Sequence, residues 1–200
     1  MIRRSIFISL VIIVLALAAH ISHILSIHRM EDDAMAPAYM KGRFILTSNL
    51  KTYHRNNVVR VSVATETGSQ KTYIRRIVGL EGDTIEFNDG FLMRNYYLAD
   101  NPDRVMFTYF VPYNLIKHLH IFDTLQIAPV IRTDSAFLTL TYSEYQMVSR
   151  HILLHKLFKG GNPLVVPKGH CFVISDNRGN TEDSRKWGCI PFSCIKGTAL

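Results

Sequence analysis

Two hundred residues leave room for one domain, or for one domain carrying a membrane segment. Hydrophobic residues at 48% and charged residues at 20% exclude a disordered chain. The net charge of +7 raises nucleic acid and an anionic membrane surface as partners; the Lys and Arg residues are spread along the chain without a basic helix or aromatic-interleaved basic stripe, so the membrane is preferred and no nucleic acid is expected.

The amino-terminal run from Ser5 to Ile27 contains no Asp, Glu, Lys or Arg. As a helix it reaches about 34 Å, enough to cross a hydrocarbon core. Arg3 and Arg4 before it mark the tail as cytoplasmic and put the body on the outer face. A rival reading takes Ala16-Leu17-Ala18 as the cleavage signal of a secretory leader; the apolar run continuing to Ile27 favours an uncleaved anchor.

Beyond residue 28 the pattern predicts short strands. Phe44–Leu46, Val58–Val63, Tyr73–Val78, Thr84–Phe87, Leu164–Val166 and Cys171–Ile174 are rich in β-branched or aromatic residues. Turn clusters punctuate them: Lys41-Gly42, Asn56-Asn57, Glu81-Gly82-Asp83 and Asn88-Asp89-Gly90. One helix is expected over about Glu144–Leu157, capped by Ser143. Cys189 and Cys194 either close a small disulfide loop or join Cys171 as small buried apolar residues. His118 with His120, and His151 with His155, lack a third ligand, so no metal and no cofactor are expected.

Four segments carry further information. The first is Met30-Glu31-Asp32-Asp33-Ala34-Met35-Ala36-Pro37 followed by Lys41-Gly42-Arg43-Phe44-Ile45-Leu46. The second is Arg55-Asn56-Asn57-Val58-Val59, and the third runs from Tyr73-Ile74-Arg75-Arg76 to Gly79-Leu80-Glu81-Gly82-Asp83. The fourth runs from Ser175-Asp176-Asn177-Arg178 to Asp183-Ser184-Arg185-Lys186-Trp187-Gly188. In this order they resemble the conserved boxes of the type I signal peptidases, the bacterial leader peptidases, with residues 91–160 unmatched. The resemblance implies a mainly β body, barrel-like or Greek-key, with a small inserted segment and one preceding transmembrane helix. The corresponding division is 1–28 for tail and anchor and 29–200 for an extracytoplasmic domain, within which 91–160 is variable. It further implies a single-pass protein of the cytoplasmic (inner) membrane, amino terminus inside, working in protein export. The expected partners are the lipid bilayer and signal peptides of exported preproteins, secretion components or a catalytically intact paralogue.

The family cuts after small-x-small motifs with a Ser–Lys pair, the serine attacking and a neutral lysine taking its proton. At the positions the resemblance assigns, this chain has Ala34 for the nucleophile and Arg75 for the base. A guanidinium is not deprotonated in proteins, so burial cannot make it a base. Asp32 stands at the oxyanion position, where a carboxylate repels developing negative charge, and it is also a candidate partner for Arg75. The packing and loop residues Met35, Pro37, Asp183, Ser184 and Arg185 match the family, with Asp183 and Arg185 expected to pair, and Thr181 replaces a serine. The expected function is a pseudopeptidase that binds signal peptides or secretion partners without cutting. Two alternatives are an active peptidase with a relocated pair (Ser48 with Lys41 or Lys51, Ser62 with Lys71) and a non-binding structural protein at a membrane surface.

Overall fold

Alternation at period 2 sends successive side chains to opposite faces of a strand, and the body is built on it. The computed structural model describes residues 24–50, 52–65, 67–88, 90–112, 130–132, 135–149 and 162–200. The strands are β1 (Leu25–Arg29), β2 (Phe44–Ser48), β3 (Val58–Ala64), β4 (Gln70–Leu80), β5 (Thr84–Asn88), β6 (Phe91–Arg94), β7 (Tyr97–Leu98), β8 (Met106–Pro112), β9 (Val130–Arg132) and β10 (Ser135–Thr141). Helix α1 (Tyr142–Ser149) follows, then β11 (Leu164–Val165), β12 (His170–Ile174), α2 (Ser184–Trp187), β13 (Ile190–Pro191) and β14 (Ile195–Ala199).

The main sheet has the order β1-β2-β14-β3-β4-β12-β13, with antiparallel pairing throughout. The carboxy-terminal strand is therefore wedged between two early strands. In β3, Val59, Val61 and Val63 face a core with Tyr73, Ile77 and Val173, while Val58 faces another with Met30, Met35, Ile45 and Ile74. The mainly β body expected from the sequence is what the structure shows, each expected strand appearing with its ends shifted by a few residues. Phe91–Leu98, at the start of the segment read as variable, completes the smaller sheet β11-β5-β6-β7.

The transmembrane helix expected over Ser5–Ile27 is corrected here. Among the described residues no helix is long and apolar enough to cross a membrane. The end of that run is a strand, because Leu25, Ser26 and Ile27 pair with Ser48, Thr47 and Leu46 of β2. Residues 1–23 lie outside the described residues. The lipid bilayer as partner, and the single-pass placement in the cytoplasmic membrane, rested on that helix and are not carried further. Helix α1 also starts earlier than expected. Its cap is Thr141 and not Ser143: the Thr141 amide and hydroxyl donate to Glu144 Oε2 at 2.7 Å each, and the Glu144 amide returns a bond to Thr141 Oγ1 at 3.4 Å. Residues 150–157 of the expected helix lie outside the described residues.

The turn from β4 to β5 is held by one carboxylate. Gly82 sits at φ +83°, a conformation that favours glycine. Asp83, buried beside it, accepts from Arg55 Nε and Nη2 at 2.8 Å each, from the Leu80 amide at 2.9 Å and from Asn95 Nδ2 at 2.9 Å. Burial alone raises the Asp83 pKa, but these bonds and the Arg55 charge outweigh it and bring it down to about 2. A depressed carboxylate pKa stabilises the fold above the ordinary carboxylate range, and that contribution disappears as pH falls. Asp83→Asn is expected to cost about 2 kcal/mol at neutral pH. Its deficit in urea unfolding should shrink as pH drops from about 4 towards 2; a deficit independent of pH over that window contradicts the assignment.

Candidate functional site

The segment after β1 turns back on itself. The Met30 amide donates to Arg43 O at 2.8 Å and the Tyr39 amide to Met35 O at 2.8 Å, so residues 30–39 form a tight loop packed on the sheet. Ala34 and Met35 at its apex are buried, 1% and 0% exposed, while Pro37 is on the surface. Asp32 turns its carboxylate inward along the loop, and its Oδ1 accepts the Ala34 amide at 3.0 Å. The backbone donor at residue 34 is thus already engaged by a negative charge.

Arg75 approaches the same point from β4. Its side chain is 1% exposed, and its donors are fixed by three oxygens. Nε donates to Glu182 O at 2.7 Å, Nη1 to Ile74 O at 2.6 Å and Nη2 to Asn180 Oδ1 at 3.3 Å. Its carbon Cζ lies 5.1 Å from the centre of the Tyr73 ring. Asp32 Oδ2 stands 3.9 Å from Nη2, an ion pair that is longer than a charge-assisted hydrogen bond. Burial lowers the Arg75 pKa, opposed by the charges of Asp32, Asp183 and Glu182 and by Tyr73; it remains a cation.

The loop 175–185 closes the site from the far side. The Asn177 amide donates to Ala34 O at 2.9 Å, which joins this loop to the apex of the first. Asp183, fully buried, accepts from the Ser175 amide at 2.9 Å and from Arg185 Nη2 at 2.6 Å. Ser184 is buried too, its Oγ accepting the Val173 amide at 3.0 Å. Thr181 is exposed, and it is its neighbours Asn180 and Glu182 that hold Arg75.

Ala34, Asp32, Arg75 and the 180–183 loop therefore lie together. The relocated pairs find less support. Ser62 Oγ donates to Gln70 Oε1 at 3.1 Å, while Lys71 Nζ sits 5.1 Å over the Tyr73 ring. Ser48 Oγ accepts the Leu50 amide at 3.2 Å, Lys41 is exposed, and Lys51 lies outside the described residues. All three cysteines are free thiols, and burial, with Cys189 and Cys194 nearby, pushes the Cys171 thiol up to about 12. No cluster of three or more potential metal ligands occurs among the described residues, and His118, His120, His151 and His155 lie outside them.

Beside Asp32 and Arg75 opens a cavity of about 370 Å³, lined on one side by residues 28–32 and on the other by Lys71–Arg75, with Arg60 also in its wall. Among the described residues two sheet edges without a further strand border it: β1 ends the sheet order, and β12 pairs with β4 only from Arg76 to Leu80, which leaves Gln70–Arg75 without a strand on that side. His28 and Arg60 were not singled out in the sequence: one sits where the apolar run ends, the other looks like an ordinary solvent-facing position of β3. The signal was parity, since His28 shares a face with Met30, and Arg60 with Val58.

A family model described as signal peptidase, peptidase S26, matches residues 3–200. The signal peptidase I of Aquifex aeolicus is 27% identical, the alignment spanning 98% of this chain and 82% of that protein. Signal peptidase I V of Bacillus subtilis is 25% identical, over 85% of this chain and 80% of that protein. A signal peptidase I crystal structure from Enterococcus faecalis aligns with 75% of this chain and 98% of that chain, at 17% identity and a TM-score of 0.40.

The bonds of Arg75 predict a local effect. Arg75→Leu removes the donors to Glu182 O and Ile74 O, and is expected to cost roughly 3–6 kcal/mol, two charge-assisted bonds' worth. Amide hydrogen exchange at residues 180–182 should rise more than elsewhere. Unchanged exchange there shows that the Asp183–Arg185 pair alone holds the loop.

Proposed function

This chain belongs to the signal peptidase S26 family, and we propose that within it the chain is a peptide-binding member that has lost the cutting chemistry. On this reading Ala34 stands at the nucleophile position, Arg75 at the general-base position and Asp32 at the oxyanion position. Met35, Pro37, Thr181, Asp183, Ser184 and Arg185 keep the shape of the site. The body from residue 29 onward is the binding unit and residues 91–160 its variable part.

One observation carries the proposal: the buried donor set at the reaction centre is already closed. The Ala34 amide, which an oxyanion needs, serves Asp32 Oδ1. The group that would take a proton is a guanidinium bonded to three oxygens. Residue 34 offers no hydroxyl and residue 75 no neutral amine, while the cavity and, among the described residues, its two edges without a further strand persist. An extended peptide can pair its backbone with such edges without being cut.

The unaltered chain is expected not to cleave a preprotein with an Ala-x-Ala site. Ala34→Ser alone should stay inactive, because Arg75 cannot act as base. Ala34→Ser with Arg75→Lys should recover a little, and adding Asp32→Ser or Asp32→Gly should recover more, through a freed amide and an uncharged lysine. Brisk cleavage by the unaltered chain overturns the reading. Titration of an Ala-x-Ala peptide is expected to give a Kd in the micromolar to millimolar range, about −4 to −8 kcal/mol. A control peptide with large residues at both positions should bind more weakly; equal signals remove the binding role.

A further inference from the structure

Among the described residues, two buried nitrogen atoms of the cavity wall have no hydrogen-bond partner, His28 Nε2 and Arg60 Nε. Arg60 gives Nη2 to Lys196 O at 2.9 Å, and among the described residues no carboxylate lies within ion-pair range of it. Burial lowers the Arg60 pKa, and burial with the Arg60 charge lowers that of His28, so His28 is neutral and can present an N–H. Buried polar groups normally find partners, and a partly desolvated cation with none is a site that an anion would complete.

The register says where this corner lies. Arg60 and Ile74 are direct cross-strand partners, so they share a face. Ile74 packs with Met30 and Met35 next to Ala34, which makes that end of the cavity apolar. His28 is two residues before Met30, on the same face of its strand. One pleat, roughly 7 Å, therefore separates an apolar position beside Ala34 from a basic one at His28 and Arg60. A peptide laid along the free edges would direct alternate side chains at these two positions. The Met30 and Ile74 side chains at the first position suit a small uncharged residue there.

We propose that, within the peptide-binding reading on which this rests, the site selects a peptide with one small residue and, two positions away, an Asp or Glu. The carboxylate of that residue is drawn to the Arg60 guanidinium, with the His28 ring beside it in the same wall.

The test is fluorescence anisotropy with the full chain and a labelled peptide carrying Ala-Gln-Ala, against peptides with Glu-Gln-Ala, Ala-Gln-Glu and Gln-Gln-Ala in its place. One of the two glutamate peptides is expected to bind about tenfold more tightly than Ala-Gln-Ala, a difference of about 1.4 kcal/mol. The gain should be absent from Gln-Gln-Ala and should shrink with added salt. Arg60→Gln should abolish the gain, so that the acidic and neutral peptides then bind alike, since it removes the charge that sets the preference. Because the peptide-side exchange needs no change in the protein, misfolding of the variant does not block the test. Equal affinity for acidic and neutral peptides overturns this proposal and leaves the binding reading intact. Binding of no peptide overturns both. A gain that survives Arg60→Gln removes Arg60 from the assignment.

Discussion

The Asp183 carboxylate is the fixed point on which the site is built. It is sealed from solvent and accepts the Ser175 amide, the Arg185 amide and the Arg185 guanidinium. Burial raises its pKa, but Arg185 and the backbone bonds pull it below the ordinary value, so it stays charged. Its oxygen at Oδ1 also caps α2. Arg185, once held, reaches Arg178 O at 2.7 Å and Asn180 O, and so pulls the loop into one shape. That shape presents the Asn177 amide to Ala34 O and the Glu182 carbonyl to Arg75 Nε. Both halves of the site thus hang on one buried anion.

The interior carries several cations, and they are balanced unequally. Arg76 meets Asp176 through two bonds, at 2.8 and 2.6 Å. Arg178 meets Asp100, a residue from the stretch that the sequence left unmatched. Arg185 meets Asp183. Arg75 is bonded to two carbonyls and an amide oxygen, with its nearest carboxylate at 3.9 Å. A carbonyl-lined niche accommodates a delocalised, weakly hydrated guanidinium better than a compact ammonium. Arg60 lies at the other end of the scale: among the described residues it has a single carbonyl partner and an unpartnered Nε. The same sheet therefore holds cations whose role ends in the fold and one whose surroundings are incomplete.

The strand pattern was legible because β3, β4 and β12 alternate or run apolar over lengths that only strands use, with Gly and Asn turns between. The convergence of residues 32–37, 75 and 181–185 was legible through ordered boxes, which local chemistry alone does not supply. The end of the amino-terminal run was not. Leu25 and Ile27 have the hydropathy of a membrane helix, and their pairing with Ser48 and Leu46 is non-local information. The cap of α1 was missed because Thr141 closes a strand and opens a helix in one residue, so the adjacent Ser143 looked the better candidate. His28 and Arg60 escaped for a related reason: a basic residue in a half-buried strand reads as solvent-facing until its register partner is known.

Asp32 and Arg75 make most sense as a matched set. In the proposed reading a catalytic lysine at residue 75 must be neutral, which requires burial without a nearby anion. A carboxylate at the distance of Asp32 raises the pKa of an amine and keeps it protonated, so Asp32 is hostile to a lysine base before any other group is considered. For a guanidinium the same carboxylate is an asset, since it offsets part of the desolvation of a side chain that is 1% exposed. The cost falls on the Ala34 amide, which Asp32 Oδ1 takes as its donor. One carboxylate thus links the loss of the base to the loss of the oxyanion donor, and a serine returned to residue 34 would meet both deficits at once. Asp32 and Arg75 both line the cleft, but their polar atoms turn along the loop of residue 32 and towards Glu182 and Asn180. In the proposed reading chemistry and binding are separable for a geometric reason: Arg75 is held by the 180–182 loop and Asp32 by its own loop, and among the described residues the outer edges of β1 and of Gln70–Arg75 carry no strand.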